Sequence, residues 1–217
     1  MTATIIGATG LIGNHLMEEL LQDDYFDTVK ILIRKPLGFS HPRLEKKLVD
    51  FNDNDSLLIA IDNSDVVFCA VGTTQKKVKG DKAAYRKVDY DIPVHAARFC
   101  KMTGCPKFIY VSAVGANSLS KNFYLQLKGE VEDEIKKLGI RSVHVFQPSI
   151  LLGKRKEFRL GEKIGKGLMV AFSLLVPSRY KAINASEVAK AMCIISKEER
   201  EGFFVYEYKS IMTILSK

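Results

Sequence analysis

Tryptophan is absent from this 217-residue chain, and prolines number only six. No apolar run approaches the roughly 20 residues of a membrane-spanning helix; the longest, Leu168 to Pro177, is about half that. A transmembrane helix is therefore not expected, and the opening residues lack the basic leader of a signal peptide. The four cysteines, Cys69, Cys100, Cys105 and Cys193, form no C-x-x-C pair and have no histidine at metal-ligand spacing. That argues against a zinc or thioredoxin-type motif and for reduced thiols in a cytoplasmic protein. His15, His41, His95 and His144 are scattered over expected helix faces, a loop and a strand, with no Ser-His-Asp order. Repeats, low-complexity tracts and dividing linkers are also missing.

What is present is the composition of one globular domain, with 47% hydrophobic and 27% charged residues. The net charge of +8 suits nucleic acid, an acidic membrane surface or a phosphorylated cofactor, and charge alone does not choose among them. Short β-branched runs alternate with helical patterns. Strands are expected at Thr4–Gly7, Val29–Ile33, Leu48–Asp50, Asp65–Val71, Lys107–Ser112, Arg141–Phe146 and Phe203–Tyr208. Helices are expected at Leu11–Leu21, near Leu57–Ile61, as two pieces within Asp81–Met102, at Ser120–Leu138 and Ser186–Ser196, and at the end of the chain. On the long helix, Glu132 and Lys136 stand four apart as a potential pair. Continuous apolar strands such as DVVFCAV read as buried on both faces. The pattern is α/β: a doubly wound, Rossmann-like parallel sheet of six or seven strands in a single domain, residues 1–217.

Between the first strand and first helix lies Gly7-Ala8-Thr9-Gly10-Leu11-Ile12-Gly13, a G-x-x-G-x-x-G turn. Glycines here permit a tight strand exit, close backbone approach to a pyrophosphate at the helix N-terminus, and close helix–strand packing. In this strand–turn–helix context the pattern points to a dinucleotide. At the end of the second strand an acidic residue would bind a ribose 2′-hydroxyl; here Arg34 and Lys35 stand instead, favouring NADP over NAD. A solvated basic pair is the plainer reading of the same two residues. Asp50 suits either the adenine or a helix cap. Val71, Gly72 and Thr73 end the fourth strand beside the expected crevice.

Tyr124 and Lys128 stand four apart on the long helix and share a face. A tyrosine acts as general acid toward a carbonyl when a neighbouring ammonium favours its phenolate form. Ser112, at the end of the fifth strand, is placed to hold a substrate oxygen. About one Y-x-x-x-K is expected by chance in such a chain, so the pair gains weight only from its position after that strand.

Together these motifs resemble the short-chain dehydrogenase/reductase superfamily in its small, atypical branch. FCAVGTT (Phe68 to Thr74), VSAVGA (Val111 to Ala116), NFYLQLKGEVE (Asn122 to Glu132) and the R-x-E-x-R-x-G-E of Arg155 to Glu162 resemble the Tat-interacting-protein-like oxidoreductases over nearly the whole chain. The resemblance implies a monomer or weak dimer that binds NADPH and has possible protein partners. It places Thr9, Gly10, Leu11 and Ile12 on the pyrophosphate, Arg34 and Lys35 on the 2′-phosphate, and Val71, Gly72 and Thr73 along the cleft. Tyr124 and Lys128 would hold the nicotinamide ribose and do any chemistry, and Leu151 and Arg159 match further cofactor positions. Ala113 and Gln147 depart from the family's usual serine and arginine, so the substrate does not carry over.

The expected reaction is hydride transfer from NADPH to a small carbonyl compound, with residues 154–181 forming the substrate-side wall. The alternative is a regulatory module that binds NADPH and contacts protein partners without turnover. Sugar-nucleotide epimerases share the motifs but need a larger C-terminal domain. Nucleic-acid binding through Lys76-Lys77-Val78-Lys79 and Lys154-Arg155-Lys156 is disfavoured by poor aromatic interleaving.

Overall fold

In a computed structural model, residues 1–74, 78–153 and 177–216 are described. The apolar runs form a parallel seven-stranded sheet: β1 (Thr2–Ile6), β2 (Thr28–Ile33), β3 (Leu44–Leu48), β4 (Val66–Cys69), β5 (Lys107–Val111), β6 (Ser142–Phe146) and β9 (Gly202–Tyr206). Their order is β3-β2-β1-β4-β5-β6-β9, so the direction of progression reverses between β1 and β4. A separate short pair joins β7 (Leu151–Leu152) to β8 (Ile183–Asn184).

Alternate side chains of each strand feed opposite faces. Ile5, Ile31, Phe68 and Ile109 pack beneath α1 (Leu11–Gln22), α6 (Ala185–Ser196) and α7 (Tyr208–Leu215). Ile6, Leu32, Val67 and Phe108 pack beneath α2 (Asn54–Ile61), α4 (Ile92–Met102) and α5 (Phe123–Lys137). Helices therefore cover both faces, as expected of a doubly wound sheet.

Several expectations shift. The third strand is Leu44–Leu48, not Leu48–Asp50, because pairing with β2 runs from Val29↔Leu44 to Ile33↔Leu48. An edge strand with exposed Glu45, Lys46 and Lys47 needs no apolar run. Asp53, not Asp50, caps α2 by accepting from the Asp55 N–H. The two pieces within 81–102 join into one helical rod, α3 (Lys82–Arg86), a π turn (Lys87–Asp91) and α4. Pro93 accounts for the π turn: it has no N–H to give the Asp89 carbonyl, and its ring would strike that carbonyl in an α-helix. The pair Glu132/Lys136 does not form; Glu132 turns inward, and the Lys136 ammonium lies 5.7 Å from the Phe203 ring centroid.

The cysteines are all free and buried. No described helix is long and apolar enough to cross a membrane. The Leu168–Pro177 run lies almost wholly outside the described residues.

Candidate active site

The reversal between β1 and β4 opens a crevice at the carboxyl ends of the strands, where doubly wound sheets receive ligands. The glycine turn fills its floor. Gly7 has φ +93°, and a Cβ there would lie 2.8 Å from the Ala70 carbonyl at the β4 exit. A Cβ on Gly13 would fall 2.1 Å from the Gly7 carbonyl oxygen, so both glycines are demanded by close approach. Helix α1 then begins at Gly10 with no side-chain cap and no acidic residue in its first turn. Its free N–H groups fit a pyrophosphate, with Leu11 and Ile12 in that turn and Thr9 exposed before it. β7 reaches the same place, since a Cβ on Gly153 would meet the Leu11 side chain at 2.8 Å; Leu151 is half-buried against that core.

Arg34 and Asp50 line a cleft of about 500 Å³ with Val49, Phe51, Lys87 and Ile92. Lys35 is exposed beside it and is not part of its lining. The Asp50 carboxylate accepts from the Asn52 N–H and side-chain amide, both at 2.9 Å. These bonds hold its carboxyl below the usual range, Asn52 being the cause.

Beyond the β4 exit, Val71 is half-buried, Gly72 is exposed, and the buried Thr73 gives its N–H to the Asp89 carboxylate at 2.7 Å. That carboxylate also lies 3.4 Å from the Lys128 ammonium, with side-chain exposures of 1% and 4%. Lys128 donates in turn to the Tyr110 hydroxyl at 3.0 Å. Burial pushes the lysine pKa down, but Tyr110, Asp89 and Tyr124 outweigh it and raise the value well above the ordinary one. Lys128 is thus fixed as a cation. Tyr124 sits one turn earlier on the same helix, half-buried, in the first turn that Asn122 caps.

Ser112 follows β5 and is buried, and its hydroxyl donates to the Glu132 carboxylate. Gln147 donates to both oxygens of the same carboxylate at 2.9 and 3.0 Å. Burial raises the Glu132 pKa against these two hydrogen bonds. Gln147 therefore fills a partner position with a neutral amide.

The structure thus gathers the glycine turn, the β4 exit, Ser112, Tyr124, Lys128 and Leu151 at one end of the sheet, with Arg34 and Asp50 along its flank. Arg159 lies outside the described residues, as do Lys76, Lys77 and 154–176 of the expected substrate wall. Asp89, Tyr110 and Glu132 escaped the sequence reading as site residues. For Asp89 a signal existed: it follows Tyr85 by four and precedes Ile92 by three, a carboxylate on an apolar stripe. Among the described residues no metal-binding cluster occurs, and no buried side-chain nitrogen or oxygen lacks a partner.

A glycine turn opening on an uncapped helix at the switch point of a parallel sheet defines a dinucleotide-binding protein of the Rossmann type, with an oxidoreductase-like fold. Residues 7–167 match the model of the NAD(P)H-binding family, and the chain belongs to that family. It is 35% identical to Protein HTATIP2 of Rattus norvegicus over 165 residues, covering 75% of this chain and 67% of that protein. It is 30% identical to Protein FMP52, mitochondrial, of Eremothecium gossypii over 226 residues, covering 100% of this chain and 98% of that protein. These relatives bear out the resemblance to the atypical short-chain dehydrogenase/reductases. Among solved structures, MoeE5 in complex with UDP-glucuronic acid and NAD superposes with a TM-score of 0.73 at 17% identity, covering 96% of this chain and 76% of that one. At that identity the likeness is one of fold.

The expectation of a purely cytoplasmic protein is overturned by the fungal relatives, whose names place them in mitochondria. Cysteine chemistry separates reducing from oxidising surroundings and does not name an organelle.

Proposed function

We propose that the protein is an NADPH-dependent oxidoreductase that reduces a small carbonyl compound. The observation that carries this reading is the buried Lys128 ammonium, held by Asp89 and Tyr110 one helical turn from Tyr124. The α1 N-terminus and Gly7, Gly10 and Gly13 would bind the pyrophosphate, while Arg34, aided by Lys35, would bind a 2′-phosphate. Val71, Gly72, Thr73, Leu151 and Arg159 would line the cofactor cleft, Asp50 would serve the adenosine end, and residues 154–181 would wall the substrate side.

When bound, the nicotinamide supplies the hydride that the carbonyl carbon receives. Tyr124 gives its hydroxyl proton to the carbonyl oxygen, leaving an alcohol, and recovers a proton from solvent. Lys128 stabilises the tyrosinate formed in that step and holds the ribose. Ser112 orients the substrate oxygen.

Thermal unfolding with NADPH and with NADH tests the cofactor claim. NADPH at a hundred times its dissociation constant stabilises by about 2.7 kcal/mol. Arg34→Ala is expected to remove most of the preference over NADH, and equal shifts with both cofactors in wild type would overturn it. Carbonyl-dependent NADPH oxidation, lost in Tyr124→Phe with cofactor binding kept, tests the chemistry; unchanged activity in that variant would refute it. One observation favours a second reading, a cofactor-binding regulatory module with protein partners: the Ser112 hydroxyl is committed to Glu132. Stabilisation by NADPH without turnover of any carbonyl would select that reading.

A further inference from the structure

Cys100 and Cys105 bracket the turn that ends α4 and leads into β5. The Cys100 sulfur lies 3.5 Å from the Cys105 carbonyl oxygen and 3.7 Å from that of Lys107. The Cys105 sulfur lies 3.5 Å from the same Lys107 oxygen. Two reduced thiols therefore converge on one acceptor. They do so at the amino end of the sheet, whereas Ser112 and the crevice lie at the far end of β5, about 17 Å away at 3.3 Å per residue. The four residues between the two cysteines match no metal or redox motif, so only the fold brings the sulfurs together.

The two thiols are not equivalent. The neighbouring Cys100 thiol holds Cys105 below the usual thiol range against the effect of burial, while Cys105 and burial together raise Cys100. Burial pushes Cys69 and Cys193 the other way, each up to about 12. Cys100 is fully buried, while Cys105 keeps 4% of its surface. Cys105 is thus the sulfur suited to meet a small oxidant, and Cys100 the one behind it.

We propose that Cys100 and Cys105 form a redox-active dithiol that a hydroperoxide closes to a disulfide. The Cys105 thiolate attacks one peroxide oxygen; an S–O bond forms, the O–O bond breaks, and the departing oxygen leaves as water (or as an alcohol from an alkyl hydroperoxide). The Cys100 sulfur, having lost its proton, attacks the resulting sulfenic sulfur. An S–S bond forms, the S–O bond breaks, and the hydroxyl departs as water. Two electrons pass from the sulfur pair to the peroxide. The product ties the end of α4 to the start of β5, and it does not depend on the cofactor chemistry.

The test treats the folded, full-length protein with limiting hydrogen peroxide, blocks free thiols after unfolding, and maps tryptic peptides. Phe99–Lys101 joined to Met102–Lys107 is the expected product, released by dithiothreitol, with Cys69 and Cys193 recovered as blocked thiols. Cys100→Ser is expected to leave Cys105 as a sulfenic acid that dimedone captures. Cys105→Ser is expected to leave Cys100 unmodified. Wild-type mapping decides the matter even where a variant folds poorly. Joined peptides appearing only after denaturation, or Cys105 oxidised without joining to Cys100, would overturn the proposal.

Discussion

Replacing Asp89 by alanine removes one carboxylate that serves two buried partners. One of its oxygens accepts the Thr73 N–H at 2.7 Å, and the other faces the Lys128 ammonium at 3.4 Å. In the variant Lys128 keeps only the Tyr110 hydroxyl, and the buried Thr73 N–H loses its acceptor. Breaking a buried ion pair by deleting one partner costs about 3–5 kcal/mol. An orphaned buried donor costs about 1–3 kcal/mol, and the two losses overlap, so roughly 4 kcal/mol in total is expected. For a domain of this size that lowers the unfolding midpoint by about 8–16 °C. Asp89→Asn keeps an acceptor for Thr73 and loses the charge, so its midpoint should fall between the two. Calorimetry without ligand, at about pH 7 and about pH 9, reads the outcome and carries a second check through linkage. In wild type the Lys128 pKa is raised, so its stabilisation is fully present below the unfolded value and is lost only as pH climbs through the folded value, above both conditions. With Asp89 gone, Lys128 loses its carboxylate and keeps the Tyr110 hydroxyl, which burial holds neutral at both pH values; burial is then expected to depress the folded lysine value, so that the unfolded chain binds more protons and stability rises with pH. The deficit of Asp89→Ala should therefore shrink at the higher pH. A midpoint within about 2 °C of wild type, or a deficit that grows with pH, would refute the reasoning.

Two further outcomes rest on close packing elsewhere in the sheet. Gly13→Ala places a Cβ 2.1 Å from the Gly7 carbonyl oxygen and 2.9 Å from the Ala8 Cα, so α1 must shift away from β1. We expect about 1–3 kcal/mol of lost stability and, if the proposed cofactor binds wild type, loss of its midpoint shift; a variant with wild-type values for both would show the approach to be dispensable. His144, fully buried between Ser142 and the Tyr206 hydroxyl, has its pKa pushed down to about 4 by burial first and then by Lys107 and Arg200. Because the folded value lies below the unfolded one, its neutral ring contributes stability that is whole above about pH 6.5 and drains away toward pH 4. Nuclear magnetic resonance titration of the ring should show no protonation until near that lower limit, and a midpoint close to the unfolded value would contradict it.

Much of the sheet was legible because buried parallel strands are written as continuous apolar runs, and β4, β5 and β6 fall within a few residues of their expected places. β3 was misplaced because an edge strand answers to the backbone of its neighbour rather than to a core. The glycine turn, Ser112 and the Tyr124/Lys128 spacing were readable as local patterns. Glu132 was read only as standing four before Lys136, since spacing along a helix does not say which way a carboxylate turns. Asp89 lay hidden for a different reason. Its partners, Thr73 and Lys128, are 16 and 39 positions away in sequence, and nothing local announces that they meet.

The π turn has a bearing on descent. A π turn holds one residue more than the α turn it replaces, so the rod from Lys82 to Met102 has the form of a helix that has absorbed a single-codon insertion. Removing Tyr90 or Asp91 would narrow that turn against the Pro93 ring, which bars regular winding there, and would swing everything on its amino side, Asp89 included, by about 100° around the axis. Tyr85 would leave its seat, and with Asp89 displaced the Lys128 cation would be stranded. Length in this short stretch is therefore as constrained as residue identity, and lineages that keep the lysine should tolerate substitutions there far more readily than deletions.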